Sequence, residues 1–277
     1  MPKKLSSAAV EAYARDGYYF PVRVMSEADA QSYRQALEAT EAQIGGHLES
    51  GMRHKVHLLF TWAADLVRHP VILDTAEDIL GPNLFCWTTN FFIKEPHDPG
   101  FVSWHQDATY WGLDPDDVLT VWVALSDAPL ESGAMKVIPG SHRWPQVEHR
   151  DTFHEHNLLS RGQELAIDVN EDEAVAMPLK AGEASLHHVK LAHGSAANAS
   201  NDRRIGLAIR YIPPEVRQKG LRDSATLVRG TDTCGHYDLE PAPQADLDDA
   251  AKAAHADAVQ RQVANLYQGT DKTQFRT

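Results

Sequence analysis

The spacing of apolar residues divides the chain into two textures. Through residue 82 the apolar positions recur mostly at helical intervals. Ser6 precedes Val10, Tyr13 and Ala14 on one face, and Gly17 closes the run. Residues 17–24 are aromatic and β-branched and predict a short strand. Ser26 and Asp29 form a capping pattern in front of a helix that should run to about Ile44 and stop at Gly45 and Gly46. Pro70 and Gly81 bracket a further helix in the expected N-terminal and C-terminal order. From residue 83 the texture changes. Segments 83–95, 118–128, 133–142, 174–179, 182–188 and 203–213 are short, rich in β-branched and aromatic residues, and punctuated by Gly and Pro. Such runs predict a mainly β protein with flanking helices, a sandwich or barrel. Between about 142 and 173 lies a long polar insertion with four histidines, read as a lid. Residues 214–277 are polar, with one helix expected near 246–266. The expected organisation is a single domain over 1–277: a mostly helical part to 82, a β core over 83–213 carrying the insertion, and a C-terminal extension.

Composition narrows the function classes. At 277 residues and 43% hydrophobic, the chain can bury a sizeable core. A formal charge of −13 leaves no basic patch for nucleic acid and disfavours a highly anionic substrate such as a coenzyme A thioester. No apolar run is long enough for a membrane helix. Two cysteines make no disulfide framework, so reduced thiols and a cytoplasmic location are expected. The expected partner is a small molecule; nothing in the sequence specifies an oligomeric state.

Four His-x-Asp pairs occur, at 105/107, 149/151, 236/238 and 255/257, so the pair alone carries little. The last lies in an Ala-rich helical stretch, where residues two apart point about 200° away from each other. The pairs at 149/151 and 236/238 fall in polar segments read as loops. Only His105 and Asp107 sit among aromatics beside strand-like runs. In an extended segment they would face the same side and supply two-thirds of a 2-His-1-carboxylate facial triad. The second histidine is open among His142, His154, His156, His187, His188 and His193; His142 follows a Pro-Gly turn, and His154 and His156 lie in the polar insertion. In the strand over 203–213, alternation puts Ile205, Leu207, Ile209 and Tyr211 on one face. Arg204, Gly206, Ala208 and Arg210 share the other. Small residues beside arginine leave space, and a guanidinium at the end of such a space binds a carboxylate bidentately.

His-x-Asp, then His193 followed eleven residues later by Arg204, resembles the phytanoyl-CoA dioxygenase (PhyH) family of Fe(II)/2-oxoglutarate oxygenases. The blocks NFFIKEPHDPGFVSWHQDATYW, VWVALSDAPLESGAMKVIPGSHRW, NLLSRGQEL and LAHGSAANASNDRRIGLAIRYIP resemble that family's blocks in order, over about residues 8–215. The resemblance implies a double-stranded β-helix, a jelly-roll of cupin-like form. It implies Fe(II) held by His105, Asp107 and His193, with Arg204 and Ser195 on the distal carboxylate of 2-oxoglutarate and Trp122, Asn90 and Lys55 as further cosubstrate contacts. Gln106, Tyr110 and Trp111 would face the substrate. The implied reaction consumes O2 and 2-oxoglutarate, releases succinate and CO2, and hydroxylates a C–H bond of a small polar metabolite. A carboxylate at position 107 favours hydroxylation over halogenation. Desaturation at the same iron is the nearest alternative, and a non-catalytic cupin-like metal binder is the alternative of another class.

Overall fold

The computed structural model describes residues 2–49 and 51–275. Two sheets face each other. The larger has seven strands in the order β1 (Tyr18–Arg23), β10 (Glu183–His188), β5 (Leu119–Ala124), β12 (Arg204–Ile212), β2 (Leu84–Lys94), β14 (Ser224–Arg229) and β15 (Asp238–Leu239). The smaller has β3 (Val102–His105), β11 (His193–Ser195), β6 (Met135–Val137) and β9 (Val175–Met177). Two hairpin-like pairs lie outside them: β7 (His149–Asp151) with β8 (Gln163–Leu165), and β4 (Leu113–Asp114) with β13 (Arg217–Gln218). The strand order, with sequence neighbours split between two sheets, is that of a jelly-roll.

Among the described residues six α-helices complete the fold: α1 (Ser7–Asp16), α2 (Glu27–Ile44), α3 (Thr61–Leu66), α4 (Pro70–Leu80), α5 (Ala108–Trp111) and α6 (Asp249–Leu266). The capping signals act as the sequence predicts. Ser6 accepts the amide of Ala9 and Ser26 that of Asp29, while Gly17 and Gly45 take positive φ at the C-termini of α1 and α2. These first helices cover the outer face of the large sheet. Ala9, Tyr13, Ala30, Leu37, Leu66 and Ile72 join Ile205, Leu207, Ile209 and Tyr211 in one apolar cluster. The opposite face of β12 is buried too, against the small sheet.

Three strands of the large sheet, β1, β14 and β15, come from outside the predicted core. β1 forms one edge and β14, in the polar C-terminal part, pairs with β2 near the other. The insertion is ordered by β7 and β8 rather than being a plain loop, and His149 and Asp151 lie on β7. The expectation of a solvated loop there is corrected. The β7 ends are tied inward, with His149 Nε2 accepting the amide of Gln106 at 2.9 Å and Asp151 clasped by Arg161.

Candidate active site

The ligand groups of His105, Asp107 and His193 lie within 4.8 Å of one another, and all three residues are buried. His105 and His193 are direct cross-strand partners on β3 and β11, so neighbouring strands set their separation. Asp107 arrives differently from the sequence expectation. His105 ends β3, whereas Asp107 has helical φ/ψ as the residue capping α5. The chain turns between them, and this turn, rather than an extended i, i+2 pair, brings the carboxylate to 3.3 Å from His105 Nε2.

Both imidazoles have their tautomer set. His105 Nδ1 donates to Ser103 O at 2.9 Å and His193 Nδ1 to Leu191 O at 2.8 Å, leaving each Nε2 lone pair free toward the third ligand. Burial lowers His193 to about 4, so it stays neutral and able to ligate. Burial opposes ionisation of Asp107, but the adjoining His105 and His193 imidazoles and Arg210 outweigh this and hold its carboxyl well below the usual range. Asp107 Oδ2 is buried with no hydrogen-bond partner. A buried carboxylate oxygen beside two imidazole nitrogens is a set that fits a divalent first-row metal.

A cavity of about 430 Å³ runs from the triad to Arg204, lined also by Ser195, Trp122, Thr120, His187 and Arg210. The Arg204 guanidinium lies 5.5 Å from the Trp122 ring centre and donates to Gly133 O, while its Nε is buried without a partner. Burial lowers it to about 10. Ser195 Oγ accepts from Lys94 Nζ at 2.8 Å, and Lys94 also donates to Ala196 O. Burial and the neighbouring Arg204 lower Lys94 to about 6. A buried guanidinium without a carboxylate partner fits a cosubstrate that brings one.

A second cavity, about 600 Å³ and open to solvent, meets the first at Asp107, Phe92 and Arg210. Tyr110 and Trp111 line it. Asn90 lines this cavity and not the one containing Arg204. Its Oδ1 accepts from Arg210 at 3.1 Å and its Nδ2 donates to His54 at 2.7 Å. Two expectations fail on geometry. Lys55 is fully buried and its ammonium is taken up by Trp87 O, Ser224 O and Glu240 at 2.6–3.1 Å, on the side of β2 away from Arg204. Gln106 donates to Lys190 O and accepts from Gln146 and the Val147 amide, which pins the insertion and leaves it outside both cavities.

The sequence reading leaves Lys94 unmentioned, and it names His187 and Arg210 without giving either a role. His187 Nε2 lies 4.0 Å from Asp107 Oδ2, and burial lowers its imidazole well below the usual range. The signal was available: alternation on β10 puts Ser185 opposite Trp122 and His187 opposite Thr120. Trp87 and Thr88 are adjacent yet both line the larger cavity, because β2 bulges where Arg210 pairs with Thr88 and Tyr211 with Cys86. Residues of the insertion (Leu158, Leu159, Ser160) and of α6 and the segment after it (Gln262, Leu266, Phe275) close that cavity. Cys86 and Cys234 are free thiols, and among the described residues no helix is long and apolar enough to cross a membrane.

Comparison with known proteins agrees with this geometry. The solved apo structure of the non-heme monooxygenase ThoJ superposes with a TM-score of 0.84 at 37% identity, over 94% of this chain and 98% of that one. L-Proline trans-4-hydroxylase of Streptomyces griseoviridis is 27% identical over 72% of this chain and 83% of its own length. The probable alpha-ketoglutarate-dependent hypophosphite dioxygenase of Stutzerimonas stutzeri is 35% identical over 56% of this chain, and the match spans about half of that relative, 54%. The family model for phytanoyl-CoA dioxygenase (PhyH) matches residues 13–206. With that match covering the triad, the strand that carries Trp122, and Arg204, the chain belongs to the phytanoyl-CoA dioxygenase (PhyH) family of Fe(II)/2-oxoglutarate-dependent dioxygenases.

Proposed function

We propose that the protein is an Fe(II)- and 2-oxoglutarate-dependent dioxygenase that hydroxylates a C–H bond of a small metabolite, with release of succinate and CO2. One observation carries the reading: a buried His105-Asp107-His193 set shares a cavity with Arg204, a buried guanidinium that has no carboxylate partner. A metal store of cupin type would have no use for such a group, and burying it unpaired is costly.

In this reading His105, Asp107 and His193 hold Fe(II). Arg204 receives the distal carboxylate of 2-oxoglutarate, and Ser195, held by Lys94, donates to the same group. Trp122 forms the wall against which that chain lies. Bound iron with 2-oxoglutarate and O2 supplies the oxidant that removes hydrogen from a C–H bond and returns hydroxyl. The chain's own residues orient the reactants and exclude water. Trp87, Trp111, Tyr110, Phe92 and Phe275 wall the substrate cavity, and the insertion and α6 cover it. The small polar substrates named for two relatives, hypophosphite and L-proline, support a small metabolite.

The test begins anaerobically. Fe(II) and 2-oxoglutarate should give the visible metal-to-ligand charge-transfer band on addition to the protein. Oxygen and a panel including L-proline, ectoine and hypophosphite follow, with succinate and oxidised product measured. Product structure separates hydroxylation from desaturation. Absence of the band in the wild type, or an undiminished band in both His105→Ala and Arg204→Ala, would sink the assignment.

A further inference from the structure

Several arginines elsewhere in the molecule find carboxylates, while Arg53 and Arg68 donate to backbone carbonyls instead. Arg203 pairs with Glu41 and Glu95, Arg34 with Glu38 and Asp202, Arg229 with Asp74 and Glu77, and Arg161 with Asp151. Arg204 and Arg210 are more deeply buried than most of these, and neither has such a partner. The open donors of Arg204 are accounted for by the cosubstrate. Arg210, six residues along the same face of β12, is not accounted for.

Arg210 is 5% exposed. Its Nη1 donates to two neutral oxygens, Asn90 Oδ1 at 3.1 Å and Ala208 O at 3.3 Å, and its Nε is buried without a partner. Phe92 and Trp111 lie 5.7 and 5.3 Å from its central carbon, so aromatic rings hold the guanidinium plane in place. It lines both cavities at their junction. Asp107 is the single carboxylate among the residues lining the larger cavity, and Asp107 Oδ2 accepts no hydrogen bond. His54, beside Asn90, is lowered to about 3 by burial and stays neutral.

Resting on the iron and 2-oxoglutarate reading above, the geometry points to a substrate that carries a carboxylate, received by Arg210 with Asn90 alongside, on a compact apolar body that lies against Trp87, Trp111 and Tyr110. The charge balance agrees. Iron(II) and two guanidiniums against Asp107 and the cosubstrate dianion leave one positive charge where the two cavities meet, which a monoanion cancels. A fork of guanidinium donors matches a carboxylate in plane, which an ammonium does not. A substrate bearing only a positive charge meets no free carboxylate in this cavity.

The experiment is an anaerobic titration of the full chain loaded with Fe(II) and 2-oxoglutarate. Phenylacetate and cyclohexylacetate are compared with phenylacetamide and cyclohexylacetamide, and binding is read from perturbation of the charge-transfer band. The expected result is at least tenfold tighter binding of an acid than of its amide. That preference should fall below twofold in Arg210→Met and be intermediate in Arg210→Lys, which keeps the charge and loses the fork. Persistence of the band in the variants shows that they are folded and loaded; if Arg210→Met does not fold, Arg210→Lys alone decides, with an undiminished preference counting against the proposal. No preference for either acid in a wild type that forms the band would overturn it. So would an acid that erases the band and is outcompeted by added 2-oxoglutarate, since it would then occupy the Arg204 end. Failure of the wild type to form the band at all strikes the iron and 2-oxoglutarate reading instead.

Discussion

The Trp122 indole occupies the place where a side chain on Gly206 would begin: a Cβ there would fall 1.8 Å from Trp122 Cζ2. The same indole flanks Arg204, so one glycine lets the wall of the cosubstrate cavity stand where it does. Gly206→Ala must displace the ring. Overpacking of this kind costs about 1–3 kcal/mol of stability. Because the displaced ring moves into the Arg204 cavity, 2-oxoglutarate affinity should fall at least tenfold, measured by titrating the charge-transfer band. Unchanged affinity would mean that the ring is not part of the cosubstrate wall.

Lys94 makes stability depend on pH in a direction opposite to that of an ordinary salt bridge. Burial beside Arg204 lowers it to about 6, against an ordinary value of 10.5. Between those values the unfolded chain binds a proton that the folded one does not, so stability rises with pH through this window. Lys94→Met has no such proton to lose. Its melting temperature should exceed the wild type's near pH 7, and the difference should shrink toward pH 10. A gap that stays constant from pH 7 to 10 would show that Lys94 remains charged in the folded state.

Lys55 and Glu240 form a buried pair, 2.6 Å apart, with His57 as a third member. Burial disfavours the Glu240 carboxylate, but Lys55 and the hydrogen bond from His57 outweigh this and depress its pKa strongly below 4.5. Removing one partner of such a pair costs about 3–5 kcal/mol. Glu240→Gln should therefore lower the melting temperature markedly at pH 7. A depressed carboxyl stabilises above its unfolded value, so the gap should close as pH falls below 4.5. Lys55→Met should be comparably unstable, yet bind 2-oxoglutarate as the wild type does. A selective loss of 2-oxoglutarate binding would restore Lys55 to the cosubstrate site.

Tyr110 donates to Asp151 at 2.6 Å, Arg161 clasps Asp151, and its guanidinium lies 4.1 Å over the Tyr110 ring. This cluster fastens the insertion to the wall of the substrate cavity. Asp151→Ala should admit water: 2-oxoglutarate consumption per product formed should rise severalfold, and limited proteolysis should cut within 150–165 sooner. Tight coupling and unaltered proteolysis would show that the insertion is held elsewhere.

Much of this site was legible in the residues, and the failures have physical causes. The alternation on β12 separates a core face from a cavity face, and both faces are occupied as read. Caps placed the helix ends because Ser, Pro and Gly act locally. β14 was missed because polarity hid a strand that pairs at the sheet's far side, where partners rather than pattern decide. Lys55 was misplaced because its ammonium turns to a glutamate 185 residues away. Gln106 sits between two ligands in sequence, but the turn that delivers Asp107 sends its neighbour outward to the insertion. Arg210 was visible on the right face and given no task, since nothing in one strand tells which guanidinium lacks a carboxylate.

The strand β12 carries Arg204 near one end and Arg210 six residues further on, with the triad's cavity touching both. Six steps of extended chain measure about 20 Å between α-carbons. The strand is thus a ruler with a cation at each mark, and its hydrogen bonds to β2 and β5 keep the marks from drifting. A metabolite whose anion is held at the second mark presents to the metal only the carbons close to that anion. Regioselectivity would then be a property of strand length, and lengthening the body of the substrate would extend it toward solvent without changing which carbon reacts.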